Sequence, residues 1–399
     1  MKYVVVLGDG MADEPIPEIG GRTPLEDART PAMDALASVS EIGLVQTIPE
    51  GMKPGSDTAN LSVLGYDPKI YYSGRSPLEA LSIGVPMEDT DIALRCNLVT
   101  LAGEGAYEEL TITDHSASEI STEDAAKLLE AVRREMENEE FQFYVGTSYR
   151  HCLIWKGGRV LELTAPHDVL GSKIKSYLPR EEALRRMQER SYEILKDHPI
   201  NRERTAKGLN PANSCWFWGA GTRPALDSFE EKYGKKGIMI SAVDLLKGIA
   251  VGASMERAYV EGANGGLYTN YEGKAQAAVD ALTKQGYDFA YIHVEAPDEM
   301  GHQGSLEKKR KAIEFLDERV IKYVKECLDE ADIAYRMLIM PDHPTPIRVR
   351  THTSDPVPYL LYDSTRLQEH TWHYNEREAK ESGNFVEQGC RMMELLFSR

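Results

Sequence analysis

Positive charge is scarce in this sequence: Lys+Arg 46 against Asp+Glu 64 leaves a formal net charge of −18. So acidic a chain lacks the electrostatic footprint of a nucleic-acid binder or of a protein held at an anionic membrane surface. An anionic ligand must instead be met by a local basic pocket. Cysteine is sparse as well. Cys96, Cys152, Cys215, Cys327 and Cys390 are odd in number and scattered, with no C-x-x-C, which argues against a disulfide framework or a zinc knuckle and for a reduced, cytoplasmic protein. No window reaches the ~18 to 20 continuous apolar residues of a membrane span. The first apolar run breaks at Gly8-Asp9, short of a signal peptide. A Gly-x-x-x-x-Gly-Lys-[Ser/Thr] loop is missing, so an ATP site of that type is unsupported.

What is present is a chain of 399 residues, 42% hydrophobic, long enough for two packed domains. Tyr3 to Leu7 is an unbroken apolar, β-branched run ending at Gly8-Asp9-Gly10, as in a strand buried on both faces of a parallel sheet. Pro31 to Ala37 reads as a helix with Thr30 as N-cap and Pro31 at N1. The middle has a different texture. A capped helix starts at Ser121-Thr122-Glu123-Asp124, a charged helix spans Arg180 to Leu195, and a polar, basic loop spans Lys196 to Lys207. From about Ile238 strand and helix alternate again: a helix over Gly273 to Leu282, a buried strand over Tyr287 to Val294, a long amphipathic helix over Leu306 to Leu328 and a strand over Arg336 to Met340. The expectation is an α/β core with a mostly parallel sheet flanked by helices, residues 1–78 and 223–399, interrupted by a smaller α/β domain, residues 79–222.

Three of the apolar strands run into potential metal ligands: Asp9 after the first, Asp298-x-x-x-His302 after the second, and Asp342-His343 after the third. Open α/β sheets bind ligands outside the carboxyl ends of their strands, so these tips are placed to converge. His352 in Arg350-Thr351-His352-Thr353 adds a fourth contribution. Mixed Asp and His ligands suit Mn²⁺ or Zn²⁺. Each piece alone also fits ordinary turn chemistry, and the case rests on their joint placement. Pro54-Gly55-Ser56-Asp57-Thr58 offers a nucleophile: a serine opening a helix presents its hydroxyl beside backbone N–H groups that attract anions. A plain helix N-cap is the competing reading. Coordination to a dication is one way to activate such a hydroxyl.

The ordered set Asp9, Gly55-Ser56-Asp57-Thr58, Asp298-x-x-x-His302, Asp342-His343 and His352-Thr353, together with Gly65-Tyr66-Asp67-Pro68 and Gly74-Arg75-Ser76-Pro77, resembles cofactor-independent phosphoglycerate mutase of the archaeal type, within the alkaline phosphatase superfamily. The resemblance covers nearly the whole chain. It implies an alkaline-phosphatase-like core and two divalent metal ions, Mn²⁺ first, with Zn²⁺, Co²⁺ or Mg²⁺ as alternatives. One ion would be held by Asp298, His302 and His352, and the other by Asp9, Ser56, Asp342 and His343. It further implies Ser56 as phosphate acceptor, with Arg95, Arg150 and Lys247 assisting catalysis. Arg75, Asn97, His151, His167 and Asp168 would bind a small phosphorylated metabolite. The oligomeric state is left open. The match departs at Asn60, where the archaeal type tends to have His, and at Trp218, where it tends to have Arg. Both departures resemble a bacterial branch proposed to act as homoserine kinase, so three acceptors stay open: the glycerate of a mutase, homoserine, and the water of a phosphatase.

Overall fold

The computed structural model describes residues 1–398. Its strands are, in chain order, β1 (Lys2–Gly8), β2 (Glu41–Val45), β3 (Ile92–Ala102), β4 (Thr111–Asp114), β5 (Phe141–Thr147), β6 (Arg150–Trp155), β7 (Ser214–Thr222), β8 (Gly237–Ile240), β9 (Glu256–Arg257), β10 (Phe289–Val294), β11 (Tyr335–Met340), β12 (Val357–Asp363) and β13 (Phe385–Val386). The chain divides into two compact units, residues 1–72 with 225–399, and residues 73–224.

The first unit is built on an eight-stranded sheet in the order β13-β2-β12-β11-β1-β10-β8-β9. All neighbours run parallel except at β12, which is antiparallel to both β11 and β2. The apolar run of β1 has its explanation here, because Val4, Val5, Val6 and Leu7 are all fully buried. Val4 and Val6 pack with Ala275, Ala278 and Leu282 of the helix Tyr271–Thr283 and with Ala312, Ile313, Leu316 and Val320 of the long helix. That long helix is continuous from Leu306 to Glu330 but carries one π turn, Asp317–Ile321. The π turn presents Asp317, whose two carboxylate oxygens accept the N–H groups of Ala32 and Met33 at 3.1 and 2.7 Å. The helix Pro31–Ala37 is therefore capped from a distant helix, and Thr30 makes no side-chain cap.

In the second unit every strand pair is antiparallel. β3 is flanked by β7 on one side and by β6 and β4 on the other, with β5 outside β6. The helices Thr122–Met136 and Glu182–Leu195 cover one face through Leu128, Leu129, Val132, Leu184 and Leu195. Ser121 caps the first of them by accepting from Asp124 N–H. The stretch read as a loop, Lys196 to Lys207, is instead mostly helical, Pro199–Ala206. His198 accepts the Ile200 N–H and Pro199 occupies the first turn, so strong start chemistry outweighs a polar composition. This unit opens at Ser73 rather than at 79, because the helix Arg75–Ser82 buries Ala80 against Ala93 and Ile154 of its sheet.

Candidate active site

β11, β1 and β10 lie side by side and parallel, in register Leu7↔Met340 and Leu7↔His293. Their carboxyl ends therefore deliver Asp342-His343, Asp9 and the segment beginning at Glu295 to one place. The last of these folds into the helix Ala296–His302, whose pitch sets Asp298 and His302 on one face. Their atoms Oδ2 and Nε2 stand 3.2 Å apart. Gly10 makes the turn after β1 with φ at +59°, and its N–H donates to Asp342 Oδ1 at 3.0 Å.

Two groups of atoms that could ligate a metal result: Asp9, Asp342 and His343 in one, and Asp298, His343 and His352 in the other, the atoms of each lying within 4.8 Å of one another. His302 completes the second, with its Nε2 3.1 Å from that of His352. The protons face away from the centre. His302 Nδ1–H donates to the Arg350 carbonyl at 2.9 Å, and His343 Nδ1 lies 3.3 Å from the Pro344 carbonyl. The remaining Nε2 lone pairs point at carboxylate oxygens: that of His343 is 3.4 Å from both Asp9 Oδ1 and Asp342 Oδ2. Asp9 Oδ1 is buried without a hydrogen-bond partner. Acceptors gathered against acceptors in a buried site need a cation between them, and this donor set fits divalent transition metals. With protons alone, the shifts record the same strain. Burial, then Asp342 and Asp298, push the Asp9 carboxyl well up, while the hydrogen bond to Asp298 raises His302 to about 9.

Ser56 is the first residue of the helix Ser56–Val63, with Gly55 at the cap position. Its hydroxyl caps nothing in that helix and lies 3.1 Å from His343 Nε2. The N-cap reading is thus excluded, and the half-buried hydroxyl faces the ligand cluster. Four residues on, Asn60 Nδ2 donates to the Ser56 carbonyl and to Asp342 Oδ2, both at 2.8 Å, and its oxygen accepts from the Tyr291 hydroxyl at 2.6 Å. The departure at Asn60 is an orienting contact of the ligand set. Thr345, which sequence reasoning passed over, donates to Asp298 Oδ1. So was His293, a lone histidine in an otherwise apolar strand, which contacts Asp9 Oδ2 at 2.9 Å. Lys247 of the same unit is a third exposed and pairs with Asp244 at 3.2 Å.

The second unit gathers its own polar group. Arg95 and Trp218 are cross-strand partners, with the guanidinium 4.5 Å from the indole centroid. Trp218 Nε1 donates to Asn97 Oδ1 at 3.1 Å, and His167 meets the indole edge at 5.3 Å. Arg95 and Arg75 share the carboxylate of Glu79. Arg150 is exposed, 5.2 Å from the Tyr149 ring, and Asp168 is exposed beside His167. His115, with no earlier mark in the sequence beyond following Asp114, joins this group through His167 and Tyr149 at 6.1 and 5.7 Å. His151 differs from the rest. It is buried, its Nδ1 accepts the Gly146 N–H at 3.1 Å, and burial lowers its pKa to about 4.

A family model described as 2,3-bisphosphoglycerate-independent phosphoglycerate mutase matches residues 37–201. A probable enzyme of that name from Geobacter sulfurreducens is 48% identical, covering 100% of both chains. One from Methanosarcina acetivorans is also 48% identical, over 96% of both. Among solved structures, a Pyrococcus horikoshii protein superposes with a TM-score of 0.82 at 30% identity, covering 100% of this chain and 96% of that one. A cofactor-independent phosphoglycerate mutase from Thermoplasma acidophilum gives a TM-score of 0.67 at 27% identity, covering 100% and 99%.

Proposed function

The chain belongs to the 2,3-bisphosphoglycerate-independent phosphoglycerate mutase family, and from that premise we propose that it interconverts 3-phosphoglycerate and 2-phosphoglycerate through a phosphoserine at Ser56. The observation that carries this reading is the position of the Ser56 hydroxyl, uncommitted to its helix and 3.1 Å from His343 at the meeting point of the two ligand groups. Asp298, His302 and His352 would hold one divalent ion, and Asp9, Asp342, His343 and Ser56 the other. Mn²⁺ is our choice for this mixed carboxylate and imidazole set. Such ions, when bound, lower the pKa of a coordinated hydroxyl and neutralise phosphoryl oxygens.

Ser56 Oγ attacks the phosphorus, the bond to the C3 oxygen of glycerate breaks as the bond to Ser56 forms, and that oxygen regains the proton the serine hydroxyl gives up. The free glycerate turns, its C2 hydroxyl attacks phospho-Ser56, and the serine hydroxyl is restored. No second phosphate is consumed, which is why a bisphosphoglycerate is not required. In the second unit Arg75, Arg95, Arg150, Asn97, His167 and Asp168 are the substrate contacts we propose, with Lys247 assisting from the first unit. Arginine suits the role because its planar fork matches carboxylate and phosphate. His151, being buried, supports the sheet beside them. Nothing in the site favours homoserine or water as acceptor over glycerate, and the relatives that match along the whole chain carry the mutase name. No helix among the described residues is long and apolar enough to cross a membrane, and we place the enzyme in the cytoplasm.

The test is a coupled assay for 3- to 2-phosphoglycerate conversion with Mn²⁺-loaded protein and no bisphosphoglycerate. The expected result is turnover that a chelator abolishes and added Mn²⁺ restores. Folded, metal-replete protein that is inert with phosphoglycerate but phosphorylates homoserine from ATP would contradict the assignment.

A further inference from the structure

His293 sits one residue short of the end of β10, opposite Leu7 of β1, and is fully buried in a strand whose other members are apolar or aromatic. A histidine in such a place is stabilised when both ring nitrogens are answered. Its Nε2 lies 2.9 Å from Asp9 Oδ2 and its Nδ1 3.2 Å from Ser241 Oγ. Ser241 Oγ in turn accepts the backbone N–H of Val243 at 3.0 Å. One assignment of protons satisfies every member with Asp9 ionised. Val243 N–H donates to Ser241, the Ser241 hydroxyl donates to His293 Nδ1, and His293 Nε2–H donates to Asp9 Oδ2. The carbonyl of His293 is held as well, by the buried Lys274 ammonium at 3.0 Å.

The consequence lies at the other oxygen of Asp9. With Oδ2 taken by His293, Oδ1 is left buried and without a partner, 3.4 Å from His343 Nε2. We propose that His293 is a positioning residue for the metal site of Asp9, Asp342 and His343: as a neutral imidazole held in its Nε2–H tautomer by the Ser241 hydroxyl on Nδ1, it fixes Asp9 as a ligand through Oδ1 alone. Asp342 is fixed in the same sense by Asn60, Gly10 and its own neighbour's N–H. The site of Asp298, His302 and His352 makes no contact of this kind with His293, since His302 is oriented by the Arg350 carbonyl and Asp298 by Thr345. This inference rests on the metal reading above, and it predicts that the two sites respond differently to one substitution.

Removing an outer partner of a metal ligand typically weakens binding by roughly 10- to 100-fold. The discriminating pair is His293→Gln and His293→Asn in the full-length protein, read by Mn²⁺ titration with electron paramagnetic resonance and by equilibrium dialysis. A Gln amide reaches the position of the imidazole Nε2 and can still donate to Asp9, whereas an Asn amide reaches only the position of Nδ1. The wild type is expected to bind two Mn²⁺ per chain. His293→Asn should keep one tight ion and bind the second roughly 10- to 100-fold more weakly. His293→Gln should recover most of that loss, and Ser241→Ala should show a smaller weakening of the same site. A merely structural role for His293 would affect both variants and both sites alike. Two tight ions in His293→Asn, or Gln no better than Asn, overturns the inference while leaving the mutase reading intact. Wild-type protein that binds no Mn²⁺ overturns both.

Discussion

Asn60 ties three groups together at the residue scale: the Ser56 carbonyl, one oxygen of Asp342 and the Tyr291 hydroxyl. Asn60→Ala would leave the buried Tyr291 hydroxyl and Asp342 Oδ2 without that partner. Removing one member of a buried hydrogen bond costs about 1–3 kcal/mol. The expected outcome is a loss of that order in urea denaturation under chelator, together with weaker Mn²⁺ binding. Unchanged metal affinity would show that Asp342 does not depend on Asn60. This scale also shows what single residues disclose by themselves. That Asp9, Asp298, His302, Asp342, His343 and His352 come together was legible because their chemistry stands at the ends of apolar strands, or, for His352, in the family's motif. Asn60 registered only as a departure, without a role. His293 and Thr345 gave no usable signal, because a histidine that orients a ligand and one that merely packs look identical until the neighbouring strand is in place.

At the scale of elements, the turn after β1 is a tight joint in the site. A Cβ added to Gly10 would stand 2.5 Å from Thr345 Oγ1, 2.6 Å from Asp298 Oδ1 and 2.8 Å from the Asp298 backbone, at a φ of +59° that side chains avoid. Gly10→Ala is expected to abolish tight binding at both proposed metal sites, and two retained ions would contradict that packing. The π turn of the long helix supports a second prediction. Burial raises the Asp317 carboxyl to about 6, above the ~3.9 of an unfolded aspartate. The folded chain therefore holds this proton more tightly, so the group's contribution to stability is full below the unfolded value and falls as pH rises towards about 6. Asp317→Asn cannot ionise and keeps only one of the two cap bonds. Its stability relative to wild type should improve as pH is raised from about 4 to about 7 in paired urea denaturations, and a difference independent of pH would exclude the mechanism. The strands β1, β10 and β11 were readable from their apolar runs. The remote cap by Asp317 and the helix Pro199–Ala206 were not, because a cap that comes from 285 residues away has no local signature and the helix is basic enough to pass for a loop.

Taken whole, the molecule combines a mostly parallel sheet that carries the candidate ligand cluster with an antiparallel unit that begins and ends at neighbouring points. Ser73 Oγ donates to the Thr222 carbonyl at 2.7 Å, and the second unit has a core of its own. The excised segment 73–224 is expected to fold with a cooperative thermal transition indifferent to Mn²⁺. The full chain should instead gain about 2.7 kcal/mol for each ion bound, at a metal concentration 100 times that site's dissociation constant. An unfolded fragment would contradict the independence of that unit. The fold class was legible from the alternation of strands and helices, and the family from motifs spread along the chain. The phosphate acceptor was not, since the same serine and ligand set serve a mutase, a kinase or a phosphatase, and relatives of matching length were needed to choose. The most direct test of the central claim is to mix the Mn²⁺-loaded enzyme with 3-phosphoglycerate carrying labelled phosphate, quench within a turnover, and map the label on the protein. Transfer through a phosphoserine predicts label on the peptide containing Ser56, and neither label nor turnover in a folded Ser56→Ala variant that still binds metal. Turnover retained in Ser56→Ala would contradict the account.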